Sequence, residues 1–196
     1  MARFGINTKN ALAVKIPFLR KLAKQIGKDH ALAIALWDTG IHEARILAGM
    51  IDEPEKVSSK QLEIWVSDFD SWDVCDQVCL NLFSYMKNAR EIAIRWSKRD
   101  EEYVKRAGFS MMAILAVHNK ETDDKYFLEL FPYIEKGAVD ERNYVKKSVN
   151  WAVRQIGKRN SGLKKPAITL CNKLLLMESK SARWIARDAL RELETV

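Results

Sequence analysis

One carboxylate, a run of cations and two indoles stand at spacings that single helical turns would bring together. Trp72 precedes Asp76 by four residues and Trp151 follows Lys147 by four, so each pair shares a helix face if its segment is helical. From Glu141 to Lys165 the chain carries eight Lys and Arg against one Glu, a net of +7 that equals the charge of the whole 196-residue protein. Charge concentrated in this way, with Trp151 in its middle, fits a polyanion partner. An ordinary solvated helix face accounts for the composition equally well. Asp76 tilts the reading toward catalysis, because a surface that only binds phosphate gains nothing from a carboxylate among its cations.

Other chemistries have less support. Cys75, Cys79 and Cys171 are an odd number, lack partners at zinc-site spacing, and read as packed thiols. His30, His42 and His118 are scattered, and nothing groups them into a metal site or a triad. No metal and no cofactor is expected. No apolar run reaches the ~20 residues of a membrane span, and the opening Met1 to Ile6 lacks signal-peptide order, so the expected location is cytoplasmic. Composition, 47% hydrophobic and 30% charged, is that of a folded globular chain, with one domain over residues 1–196 as the default.

The elements that must hold these residues are helices. Glycine and proline punctuate the chain at short intervals, and helical periodicity fills the stretches between. Pro17 opens a segment with Leu19, Leu22, Ala23 and Ile26 on one face, closed by Gly27; Asp29 can cap the next, which ends at Gly40. Further helices are predicted near 41–51, 59–69, 72–86, 88–98, 101–117, 124–137, 141–158, 163–177 and 180–194, with Pro132 kinking or dividing its own. The fold class is all-α.

Three of these segments begin alike: Val104-Lys105-Arg106-Ala107, Val145-Lys146-Lys147-Ser148 and Ile185-Ala186-Arg187-Asp188, at steps of 41 and 40 residues. Those steps fall in the ~40–47 range of HEAT and armadillo repeats. Ile41-His42-Glu43-Ala44 and Val74-Cys75-Asp76-Gln77 fit less regularly. The expected architecture is a curved solenoid of stacked antiparallel helix pairs with a concave basic face. Its inner helices would carry the third residue of each unit in a row, Glu43, Asp76, Arg106, Lys147 and Arg187, facing water or a ligand. Each member also has a plain structural reading. Trp72 and Trp151 could be core residues, as is expected of Trp37, Trp65, Trp96 and Trp184, and Asp76 could form an ion pair with Arg106.

At these residues the chain resembles the AlkD-type DNA alkylation repair glycosylases, which are built from HEAT-like helix pairs. Asp70-Ser71-Trp72-Asp73-Val74-Cys75-Asp76, Glu102-Tyr103-Val104-Lys105-Arg106-Ala107 and the stretch from Asn143 to Arg154 carry the likeness, in the family's order. It extends from about residue 16 to near the end. The resemblance implies an active site of Trp72, Asp76, Arg106 and Trp151, and duplex DNA containing alkylated purines as the partner. It also implies excision of 3-methyladenine and 7-methylguanine with the nucleotide kept in the stack, by a protein able to act as a monomer. Lys147, Arg154, Lys158 and Arg159 are the expected phosphate contacts. The chain starts later than longer members, which implies a changed grip on one arm of the duplex. Two other classes stay open: a helical-repeat protein that binds branched or distorted DNA without excision, and a scaffold for protein partners.

Overall fold

The computed structural model describes residues 3 and 5–195, divides the chain into two compact units, residues 1–89 and 90–196, and contains no strand among the described residues. In the first unit the helices are α1 (Ile16–Ile26), α2 (His30–Asp38), α3 (His42–Ile51), α4 (Ser59–Ser67) and α5 (Trp72–Asn81), followed by a 3-10 turn at Phe83–Tyr85. Their ends follow the punctuation. Pro17 lies in the first turn of α1, where its missing N–H costs nothing, and Gly27 closes the helix at φ 78°, a left-handed region that suits glycine. Asp29 Oδ1 accepts from the Leu32 N–H at 2.9 Å and Ser58 Oγ accepts from the Gln61 N–H at 3.1 Å, capping α2 and α4.

Within this unit α3 packs against α1, α2 and α5. Trp37 and Trp65 stack with ring centroids 4.0 Å apart, and the Trp37 Nε1–H donates to Asp68 at 2.8 Å, so the buried indole keeps its polar edge satisfied. Gly49 lets α3 approach α5 closely: a Cβ there would stand 3.0 Å from Val78 Cγ2.

The second unit holds α7 (Glu102–His118), α8 (Asp124–Leu128), α9 (Phe131–Gly137), α10 (Asn143–Gly157), α11 (Ser161–Leu175) and α12 (Lys180–Leu193), with α6 (Ala89–Ser97) at the boundary. α10 lies between α7 and α12, and α9 and α11 pack on it from a second layer. Pro132 divides the expected 124–137 helix, since proline cannot continue the ladder of α8 but suits the first turn of α9. Gly108 is required where α7 touches α6, because a Cβ would meet the Ser97 backbone nitrogen at 2.4 Å.

The repeat is in phase. Val104, Val145 and Ile185, the first residues of the three matched segments, are all buried. Polar contacts between neighbouring helices recur one repeat apart. In the second unit, Arg106 to Tyr144 spans 38 residues, Asn150 to Ile185 spans 35 and Arg142 to Asp100 spans 42. In the first unit Trp37 to Asp68 and His42 to Asp73 each span 31, so the shorter spacing there explains why its segments fit the sequence period less well.

One core expectation is corrected. Trp37, Trp65 and Trp96 are buried, but Trp184 is 40% exposed and carries Lys146 Nζ at 5.0 Å from its ring centroid. Trp184 lies at the edge of the buried stripe of α12, where Lys146 of α10 supplies a cation–π contact.

Candidate active site and nucleic-acid interface

In the first unit, α5 is fixed by Val74, Cys75, Val78 and Cys79, which bury one stripe of the helix. Trp72 and Asp76 stand one turn apart on the edge of that stripe, both half-buried. The start of α5 is tied down by a chain of polar contacts. Ser71 Oγ donates to Asp73 Oδ1 at 2.6 Å, and Asp73 Oδ2 meets His42 Nε2 at 2.9 Å. Burial lowers the His42 pKa, but the hydrogen bond and charge of Asp73, with Glu43 and Asp70 behind it, outweigh burial and hold it above its ordinary value. Burial likewise raises the pKa of Asp73, and the bonds from His42 and Ser71 reverse it to a net lowering.

The segment before α1 closes over this cluster. Asn7 Nδ2 donates to Asp70 Oδ2 at 2.7 Å, and the backbone N–H groups of Leu12 and Val14 donate to the two oxygens of Glu43 at 2.7 and 3.2 Å. Glu43 is therefore buried and faces protein. That corrects the expectation that every polar residue in the repeated row faces water or a ligand. A carboxylate at such a position can equally serve unpaired backbone donors.

In the second unit, Arg106 departs from the expected row in the same way. It is buried in the apolar length of α7 and donates through Nη1 to the Tyr144 carbonyl at 2.7 Å, in the first turn of α10. Tyr103 and Tyr144 stack beside it with centroids 5.6 Å apart. α10 has one buried and one more open side. Lys147, Trp151, Arg154 and Lys158 follow at i, i+4, i+7 and i+11, while Val145, Val149, Ala152, Val153 and Ile156 are buried on the other side. Lys147 is exposed and Trp151 half-buried.

The cations of this face are not equally available. Glu192 of α12 takes both Arg154 and Lys158 as partners, and those bonds hold its carboxyl below the usual carboxylate range, Lys158 contributing most. Arg159 donates to the carbonyls of Ala116, Asn119, Lys120 and Thr122 at 2.8, 2.5, 2.6 and 3.0 Å, closing the C-terminal end of α7 and the turn beyond. Lys147 has no ion-pair or hydrogen-bond partner among the described residues. A basic cleft of about 480 Å³ lies at the ends of α7 and α10, lined by Val117, Lys120, Gln155, Lys158, Arg159 and Asn160.

A family model described as DNA alkylation repair enzyme matches residues 1–193. The chain belongs to that family. Among solved structures, a protein described as one of a new family related to the HEAT-like repeat DNA glycosylases with affinity for branched DNA structures superposes with a TM-score of 0.78. It is 17% identical, covering 97% of this chain and 86% of that chain, a likeness that establishes the fold. A designed armadillo repeat protein in complex with a (KR)4 peptide, 18% identical over 89% of this chain and 91% of its own, reaches a TM-score of only 0.46, too loose to argue from. No protein of curated function matches the sequence.

Of the residues expected from the sequence, Trp72 and Asp76 lie on α5 of the first unit, and Arg106, Lys147, Trp151, Arg154, Lys158 and Arg159 lie in the second. Among the described residues no cluster of His, Cys, Asp and Glu is placed to hold a metal, and no helix is long and apolar enough to cross a membrane. The three cysteines are buried and form no disulfide among the described residues, and burial pushes the Cys171 thiol up to about 12, which disfavours its thiolate. Sequence reading missed the Ser71–Asp73–His42 cluster and the role of Glu192. The sequence signal for the first was Asp73, one residue from Trp72, at the 31-residue spacing from His42.

Proposed function

We propose that this protein is a monofunctional DNA glycosylase that releases cationic alkylated purines, 3-methyladenine and 7-methylguanine among them, from duplex DNA. The observation that carries the reading is a carboxylate one helical turn from an indole, at the half-buried edge of α5, in a chain whose family match runs over residues 1–193. Alkylation gives the purine a positive charge, so it leaves without protonation. The C1′–N bond breaks, its electrons stay with the base, and the sugar is left with cationic, oxocarbenium-like character.

The Asp76 carboxylate then has two tasks. It opposes the developing charge, and it accepts a hydrogen bond, and then the released proton, from the water whose oxygen bonds to C1′. At ~4 Å and an effective dielectric of ~20 the attraction is roughly 4 kcal/mol, or about three powers of ten in rate. The faces of Trp72 and Trp151 suit a cationic sugar, each by ~0.5–2 kcal/mol. Arg106 anchors the start of α10 through the Tyr144 carbonyl and so positions the Lys147–Trp151 face. Lys147 makes the direct phosphate contact. Arg154 and Lys158 add theirs in competition with Glu192, and Arg159 acts from the scaffold. Backbone contact of this kind grips DNA without reading sequence.

Incubation with methylated duplex DNA, followed by chromatography of freed bases, tests the reading: 3-methyladenine and 7-methylguanine are expected in the supernatant. The second reading, a binder of branched or distorted DNA that never excises, draws on what is said of the similar solved structure. It predicts salt-dependent binding to junctions with no base liberated.

A further inference from the structure

The zero net charge of residues 1–89, eleven Lys and Arg against eleven Asp and Glu, conceals a local excess. Lys15, Arg20, Lys21, Lys24 and Lys28 fall within fourteen residues that contain no acid, and α1 occupies most of that span. The helix turns Leu19 into the core, with Leu22, Ala23 and Ile26 half-buried beside it, and it packs on α3. Arg20, Lys21 and Lys24 share the opposite face, all exposed, and none forms an ion pair among the described residues.

Charge is matched at several places elsewhere: Arg45 with Asp68, Lys56 with Glu53, Arg142 with Asp140, Arg154 and Lys158 with Glu192. On α1 it is segregated instead. Arg20 and Lys24 at i, i+4 and Lys21 and Lys24 at i, i+3 repel, each by ~0.2–0.5 kcal/mol, in a helix that also lacks a side-chain N-cap. A face maintained only for solubility would be more stable with alternating signs. Beside it lies a cleft of about 310 Å³ lined by Arg20, Lys24, Lys28, Met50 and Asn81, with no carboxylate in its wall. Lys28 Nζ is held at one end of that cleft by the carbonyls of Met50 and Asp52, at 3.2 and 2.6 Å.

We propose that the exposed face of α1, through Arg20, Lys21 and Lys24, is a second phosphate-binding surface whose partner is a nucleic-acid backbone. Charge complementarity selects a polyanion, and the packing of α1 selects among polyanions. A lipid surface requires a broad free apolar face, and α1 has spent its own on α3, leaving Phe18 as its one strongly exposed apolar side chain. The identity of the polymer as DNA rests on the glycosylase reading. The existence of the surface does not.

Salt titration of binding to an undamaged duplex tests it, because no excision is involved. Each phosphate neutralised contributes a slope of about 0.9 in log K against log salt. The triple variant Arg20→Gln, Lys21→Gln, Lys24→Gln should lose about two to three units of slope and bind at least tenfold more weakly at low salt. Arg20→Gln alone should lose about one. Circular dichroism keeps the comparison fair, since removing like charges from an exposed face should leave the helix intact or firmer. An unchanged slope would overturn the proposal, as would loss of binding to phosphatidylserine vesicles with duplex binding retained. If methylated DNA yields no free base while the slope change stands, the glycosylase reading fails and the surface survives.

Discussion

In the proposed mechanism the chemistry turns on Asp76 and the cations around α10 hold the substrate, and their partners rank them. Lys147 is exposed, while Glu192 restrains both Arg154 and Lys158. Lys147→Ala should reduce the salt slope of duplex binding by about one unit. Glu192→Gln should act in the opposite sense, freeing two cations and steepening the slope by up to about one unit, as fluorescence titration at several salt concentrations would show. A flatter slope in Glu192→Gln would mean that the pair is needed to position those cations. The spacing of Lys147, Trp151, Arg154 and Lys158 was legible in sequence because helical period alone sets it. The restraint by Glu192 was not, since it depends on which residue 34 to 38 positions away falls opposite.

At the scale of elements, two devices hold the helices that carry the site. Arg159 donates to four carbonyls at the end of α7, a task invisible in a run of basic residues that reads as phosphate contact. Arg159→Leu should cost about 2 kcal/mol in urea unfolding, since charged hydrogen bonds contribute ~1.5–3 kcal/mol each and water recovers part of the loss. A direct phosphate role would instead show as a flatter salt slope with unchanged stability.

The second device, the Ser71–Asp73–His42 cluster under the leading segment, carries a pH signature. The folded His42 pKa lies above 6.5, so its contribution is complete below pH 6.5 and fades as pH rises through the raised value. Asp73 is held below 3.8, so its contribution is complete above pH 3.8 and fades as pH falls through the lowered value. The stability difference between the native protein and His42→Gln should therefore be largest between those limits and shrink toward alkaline pH. Denaturation curves at a series of pH values would show it, and a constant difference would mean that the pair is not charged. The helices themselves were readable from Pro17, Gly27, Asp29 and Pro132, because caps and breakers act locally. The buried fates of Glu43 and Arg106 were not, because a repeated position fixes where a residue stands, not what it bonds to.

For the whole molecule, one feature organises the rest: a helical repeat whose polar contacts recur at 31 residues in the first unit and near 40 in the second, along a chain that matches its family over residues 1–193. Charge follows the division as well, with the excess in the second unit and a balanced first unit that sets five of its eleven cations between Lys15 and Lys28. Within this frame the proposed chemistry is a single electrostatic event, and single-turnover release of 7-methylguanine by Asp76→Asn tests it most directly. The amide keeps the size of the side chain and removes its charge. Release is expected to fall by about three powers of ten while duplex affinity stays nearly unchanged. Release at the native rate would contradict the account.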